Sequence, residues 1–225
     1  MTHSSRDKSS FSPKVAVVYN PSEKTTLRLS LGKAFRPPTV YELYCTWSYA
    51  GKTYACNPDL KPETTISWDT GVNQRLWKGA KLGLTYFENY IEDLIYNKTV
   101  SATYERINVG KAESKGVEFE VEQRFEKGLR LFSNFTYTNG MIKENEAATK
   151  TVGKRLTQTP QKMFNLGAEF EKGGFSTSLV GRYVSKRYSK DDNSDVVNNV
   201  YMSYDPYFVT DAKLSYNFKQ MSASL

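Results

Sequence analysis

The amino-acid sequence predicts an all-β fold, an antiparallel transmembrane β-barrel segment, and three observations predict it. Several stretches alternate apolar and polar residues: over 64 to 77, Ile66, Trp68, Val72 and Leu76 share one face, while Ser67, Asp69, Asn73 and Arg75 share the other. Ionised groups also follow one another along a single face, as Glu118, Glu120, Glu122 and Arg124 do opposite Val117, Phe119, Val121 and Phe125. Finally, Tyr19, Trp77, Phe125, Phe170, Phe175 and Phe218 stand at strand ends beside short turns, the pattern of an interfacial aromatic girdle.

The elements follow in order from the punctuation. Asn20 to Lys24, Lys78-Gly79-Ala80, Glu126-Lys127-Gly128 and Glu171 to Gly174 combine Gly or Pro with charged residues and read as tight turns, with a fifth near Lys219-Gln220. Long polar connections lie between them, at 36 to 62, 96 to 114, 140 to 159 and 186 to 206. Strands are therefore expected near 14–20, 24–35, 64–77, 80–94, 116–125, 128–139, 161–170, 174–185 and 207–218, with Met221 opening a tenth. Short turns on the periplasmic side and long loops outside are the asymmetry of an outer-membrane barrel. Nine or ten strands leave edges that lipid cannot satisfy, so the chain reads as the later part of a larger barrel.

Composition bounds the function. The 225 residues include 16 Tyr, 12 Phe and 3 Trp, and no run of 18 apolar residues provides a membrane-crossing helix. The net charge of +7 comes from 31 Lys and Arg scattered among 24 Asp and Glu, without a basic helix or zinc spacing, so no nucleic-acid partner is expected. The opening MTHSSRDKSSFSPK has no apolar h-region, so either the chain is a piece of a longer precursor or the membrane reading fails. The sole histidine is His3, and no carboxylate pair is set apart as acid and base, so neither an enzyme nor a cofactor is expected. Asp191-Asp192-Asn193-Ser194-Asp195 begins like a calcium loop, but Val196 stands where the turn glycine belongs and Met202 where the bidentate Glu belongs.

Phe35-Arg36-Pro37-Pro38, Tyr41-Glu42-Leu43-Tyr44 and Asn57-Pro58-Asp59-Leu60-Lys61-Pro62-Glu63 resemble the FRxP, EL and NPxLKPE signature of TonB-dependent outer-membrane receptors. Phe87 to Ile95, Asn108-Val109-Gly110-Lys111-Ala112, Lys115-Gly116-Val117-Glu118 and Gly153-Lys154-Arg155-Leu156 follow in the family's order. The resemblance implies a barrel of about 22 strands plugged by an N-terminal domain. It also implies a bacterial outer-membrane location, lipid as a partner, a siderophore, cobalamin or other metal chelate as cargo, and energy from TonB through the plug. Residues 1–225 then form one partial receptor barrel domain, without the plug or the final aromatic-ended strand.

For ligand contact the outer loops offer Trp47, Tyr49, Tyr54 and Tyr204 as flat amphipathic surfaces, with Arg36 and Arg106 as charge for an anionic chelate. Tyr104, Tyr188, Tyr201, Tyr207, Arg187 and Lys190 belong to the same set. Haem receptors that share this resemblance typically place a histidine between the two motifs, and none stands between Phe35 and Asn57, so the resemblance disfavours haem. Pro37, Pro38, Pro58 and Pro62 read as strand terminators, and Glu118, Glu120 and Glu122 as an ordinary lumen wall. Cys45 and Cys56, the only cysteines, are expected to pair as a disulfide in an exported chain. The alternative to the receptor is a soluble all-β ligand-binding module, a propeller or sandwich.

Overall fold

The computed structural model describes residues 11–100, 103–195, 203–218 and 221–224. Its strands are β1 (Lys14–Ser22), β2 (Thr25–Arg36), β3 (Trp47–Tyr49), β4 (Lys52–Ala55), β5 (Glu63–Arg75), β6 (Ala80–Val100) and β7 (Thr103–Arg124). They continue as β8 (Leu129–Asn145), β9 (Lys162–Lys172), β10 (Phe175–Val184), β11 (Arg187–Tyr188), β12 (Ser203–Tyr204), β13 (Tyr207–Phe218) and β14 (Met221–Ser224). One short helix, α1 (Val40–Tyr44), and one 3-10 turn at Thr149–Thr151 interrupt the loops. The main sheet runs β1-β2-β5-β6-β7-β8-β9-β10-β13-β14, every step antiparallel and open at β1 and β14. Nine of these strands match the expected set, and β14 is the tenth.

Register turns the period-two pattern into two chemically opposite surfaces. Tyr19, Leu27, Val72, Leu84, Phe119, Phe135, Phe164, Tyr183 and Phe208 pair in succession across nine strands, so one row on one face is wholly apolar or aromatic. The next row belongs to the other face and reads Thr26, Asn73, Gly83, Glu120, Asn134, Asn165 and Arg182. A recess of about 430 Å³ opens on this polar face, between Asn73, Glu120, Glu122, Arg130 and Asn134. The apolar face is bare: Leu31 is 53%, Leu166 57% and Phe208 63% exposed. A soluble sheet buries its apolar face and wets its polar one. Here the arrangement is inverted, as in a barrel whose polar side lines a lumen and whose apolar side meets lipid.

The short turns need glycine. At Gly79 (φ +79°) and Gly128 (φ +89°) a Cβ would fall 2.1 Å from the Arg124 carbonyl oxygen and 2.0 Å from that of Glu171, so neither a side chain nor another backbone angle is tolerated. Neighbouring turns are tied together: the Gly79 carbonyl accepts from the Arg124 amide at 2.9 Å, Trp77 Nε1 donates to Gln123 Oε1 at 2.7 Å, and Lys78 pairs with Glu126. The turn expected near Lys219-Gln220 lies outside the described residues, as do Tyr201 and His3.

The outer side departs from expectation. Residues 96 to 114 read as a long polar loop, yet β6 and β7 run on through them as a hairpin of 21- and 22-residue strands. The extension is possible because a bulge between Ile91 and Leu94, with Asp93 at φ 56°, absorbs the change of register where the strands leave the barrel wall. Its exposed edge is not left bare: β4 pairs in parallel with the start of β7, Thr53 with Thr103, Tyr54 with Tyr104 and Ala55 with Glu105.

Candidate functional site

The motif residues of the first outer loop are its fastenings. Glu63, the first residue of β5, takes the Arg36 guanidinium in a two-pronged grip, Nη2 to Oε1 at 2.6 Å and Nε to Oε2 at 2.7 Å, and its Oε1 also accepts the Ile95 amide at 3.0 Å. The far side of Arg36 meets Glu42 at 3.1 Å. Glu42 also completes a capping box on α1: its amide donates to Thr39 Oγ1, and its Oε2 accepts the Thr39 amide at 2.7 Å. The hydrogen bond to Glu63 pushes Arg36 above its ordinary range. Burial pushes the Glu42 carboxyl up, but the Thr39 amide and Arg36 outweigh it and hold the carboxyl below the usual value.

The loop returns to the sheet through two asparagines. Asn57 Nδ2 donates to the Arg106 carbonyl at 2.9 Å. Asn108 Oδ1 accepts the Lys61 amide at 2.8 Å, while its Nδ2 donates to the carbonyls of Lys61 at 2.9 Å and Asp93 at 2.8 Å. Between these clamps Leu60 is only 2% exposed, an apolar anchor for an otherwise polar loop. Asn57 and Asn108 thus give backbone groups outside the ladders the partners they need.

On this scaffold stands an aromatic shelf. Trp47 and Tyr54, opposite each other in the β3–β4 hairpin, stack at 4.1 Å and 4°. Tyr54 stacks in turn on Tyr104 at 4.9 Å and 14°, so three rings form one column across β3, β4 and β7. Lys52 Nζ lies 5.3 Å from the Tyr104 ring centre, and Arg106 lies 4.9 Å above the Tyr41 ring with Nη1 donating to the Tyr41 carbonyl at 3.1 Å. The stacked rings spend their facing sides on one another and present their edges, which carry the rings' partial positive charge, with Lys52 over the Tyr104 ring and Arg106 over Tyr41 on α1.

Of the residues singled out from sequence, Trp47 and Tyr54 lie in the column, whereas Arg106 is held over Tyr41 on α1. Tyr49 is exposed at the end of β3, paired with Lys52. Arg36 is committed to Glu63 and Glu42, so its charge holds the loop. Tyr204 belongs to a separate two-stranded sheet, β11 with β12, under the Arg187 guanidinium at 4.7 Å. Lys52 was missed, because a lone lysine in a polar loop gives no signal until the parallel β4–β7 pairing brings it to Tyr104.

The cysteines depart from the expected disulfide: Cys45 and Cys56 are both free thiols. Cys45 is the C-cap of α1, its amide donating to the Tyr41 carbonyl, and Cys56 Sγ lies 2.9 Å from Thr46 Oγ1. The acidic stretch 191–195 serves loop structure. Asp195 accepts from the Ser189 and Lys190 amides at 2.6 and 3.0 Å, and Asp192 pairs with Lys150 at 3.2 Å. No group of three or more metal-ligating side chains occurs among the described residues.

The family model for the TonB-dependent receptor-like β-barrel matches residues 2–225. The chain belongs to the TonB-dependent receptor family. Over 187 residues it is 29% identical to an iron-regulated outer membrane virulence protein of Vibrio cholerae, covering 76% of this chain and 28% of that protein. It is 25% identical over 202 residues to the vitamin B12 transporter BtuB of the same species, covering 90% of this chain and 30% of that one. Among solved structures, the ferric enterobactin receptor PfeA of Pseudomonas aeruginosa superposes with a TM-score of 0.74 at 21% identity, over 95% of this chain and 34% of that one, a likeness of fold. The chain spans about a third of the length of these relatives. Members of the family are outer-membrane β-barrel receptors and transporters, which agrees with the apolar convex face and does not favour the soluble module.

Proposed function

We propose that this chain supplies part of the barrel wall and the first outer loops of a receptor that imports a siderophore or another metal chelate, with energy delivered by TonB through the receptor's plug. The observation that carries the reading is the Trp47–Tyr54–Tyr104 column with Lys52 over Tyr104, on a loop fastened by Arg36, Asn57, Leu60 and Asn108. A bulky, flat, anionic ligand gains contact with the rings at little entropic cost, because the rings are already stacked and their loop is already fixed. Tyr49 and Tyr204, exposed on outer elements, are further contact candidates. The relatives named for iron regulation, vitamin B12 and ferric enterobactin support a chelate as the cargo class.

The test uses the full-length receptor in an iron-limited host, with ferric enterobactin, ferrioxamine and vitamin B12 as probes. Trp47→Ala with Tyr54→Ala is expected to weaken binding of the transported probe about tenfold, the worth of about 1.4 kcal/mol of stacking. Uptake of that probe should cease on collapse of the proton gradient. Unchanged binding in the double variant would remove the shelf from the ligand site.

A further inference from the structure

A lumen wall meets water and charge, yet two phenylalanines of the main sheet belong to its polar face, Phe87 on β6 and Phe132 on β8. Each stands directly opposite a glycine on the next strand: Phe87 pairs with Gly116 on β7, and Phe132 with Gly167 on β9. The rings lie down across these glycines. A Cβ on Gly116 would fall 2.8 Å from Phe87 Cζ, and one on Gly167 would fall 2.2, 2.5 and 2.7 Å from Cζ, Cε1 and Cε2 of Phe132. A ring laid over a glycine covers strand backbone that has no side chain of its own and takes its own face out of water. Both rings are half-buried as a result.

Phe132 is also held by a cation. The Arg130 guanidinium lies 4.6 Å from the ring centre and is itself fixed, Nε and Nη2 donating to Glu122 Oε2 at 2.9 and 2.7 Å and Nη1 to Glu169 Oε2 at 2.8 Å. The ring borders the recess of about 430 Å³ that Glu120, Glu122 and Asn134 also line. Phe132 stands close to the Gly128 turn, so this recess lies toward the end of the lumen that carries the short turns. A phenyl ring standing off the wall would fill part of it. Any side chain at Gly167 drives the ring there, because the atoms a Cβ meets are the tip of the ring, the free end of a side chain, and the ring yields before the backbone does.

We propose that Gly167 and Arg130 keep Phe132 flat against the wall so that cargo leaves through an unobstructed lumen, which makes Gly167 a positioning residue for transport and not for ligand binding. This rests on the importer reading above, and binding and uptake are measured separately so that the two can fail separately. The experiment follows ferric enterobactin, ferrioxamine and vitamin B12 in cells carrying the full-length receptor, with binding read after collapse of the proton gradient and uptake with the gradient intact. Gly167→Ala should leave binding unchanged and lower uptake about tenfold. Removing the displaced ring, in Gly167→Ala with Phe132→Ala, should restore uptake. Gly181→Ala is the matched control: its Cβ would fall 2.6 Å from Phe208 Cζ, a ring seat on the lipid-facing side, so it disturbs the wall without touching the lumen and should keep wild-type uptake. Barrel integrity is read in each variant from resistance to unfolding in SDS without heating. The ring itself is read, whatever the cargo, from para-fluorophenylalanine at position 132, whose fluorine NMR signal should broaden more with a water-soluble paramagnet in Gly167→Ala than in wild type. Equal broadening, wild-type uptake in folded Gly167→Ala, no recovery in the double variant, or an equal loss of uptake in Gly181→Ala would overturn the proposal and leave the glycine seats as supports of the wall alone. Loss of binding in Trp47→Ala with Tyr54→Ala bears only on the shelf.

Discussion

The two outer loop systems solve one problem by different means, and the contrast shows what each is built to do. Both must satisfy backbone groups that have left the ladders. The first, from 37 to 62, uses Asn57 and Asn108 and adds a buried leucine and a column of stacked rings. The second joins two loops by polar groups: Asn193 Oδ1 accepts the Arg155 amide at 2.7 Å, its Nδ2 donates to the Arg155 carbonyl at 3.0 Å, and the Gln158 amide donates to the Tyr188 carbonyl at 2.8 Å. Ion pairs act in both systems, Arg36 with Glu63 and Glu42 in the first and Lys150 with Asp192 in the second, so what sets the first apart is its buried leucine together with its stacked rings.

The largest effect is expected from removing the buried anchor of the first system. Leu60→Ala should lower the local stability of the first loop by about 3 kcal/mol, read as faster amide exchange over 37–62 in the intact receptor with no change over 186–195. Equal acceleration in both would show that the two loops open as one unit. Asn108→Ala, which strips partners from the Lys61 amide and from two carbonyls, should cost about 2 kcal/mol, and Asn193→Ala about 1 kcal/mol, confined to the second system.

Acid should sharpen the contrast further. Hydrogen bonds from Ser194, with Lys150 beside them, hold the Asp192 carboxyl at about 2 against an ordinary 3.8. A depressed carboxyl stabilises the fold above its unfolded value, and that contribution fades as pH drops from about 4 toward 2. Exchange over 186–195 should therefore quicken in that window. The first loop loses the Glu42 contribution in acid but keeps Leu60 and the asparagines, so its exchange should change less. Identical acid profiles would dissolve the distinction. The smallest effect belongs to Lys150→Ala: this exposed pair should contribute too little to register at neutral pH.

Much of the barrel wall was legible because alternation is local. A strand's two faces differ in sequence wherever one side meets lipid and the other water, so Leu82, Leu84, Phe119, Val121, Leu166 and Leu214 separate from Glu118, Glu120, Asn165, Lys213 and Ser215 before any register is known. The structure assembles the two sets on opposite faces. Arg36 shows the limit of that reading. Its charge suggested ligand contact, but only the β2–β5 register reveals that Glu63 stands opposite it.

By itself, then, the sequence determined the strands, their two faces, the tight glycine turns and the family motifs. All of these are set by neighbours one, two or three residues away, through the pleat and through φ angles that only glycine tolerates. Tertiary structure alone decided that β6 and β7 continue beyond the barrel wall, that β4 joins them in parallel, and that Trp47, Tyr54 and Tyr104 form one column beside Lys52. The β4–β7 pairing and the Tyr54–Tyr104 stack join residues fifty positions apart, chosen by which exposed edge and which unsatisfied backbone group the loop could reach.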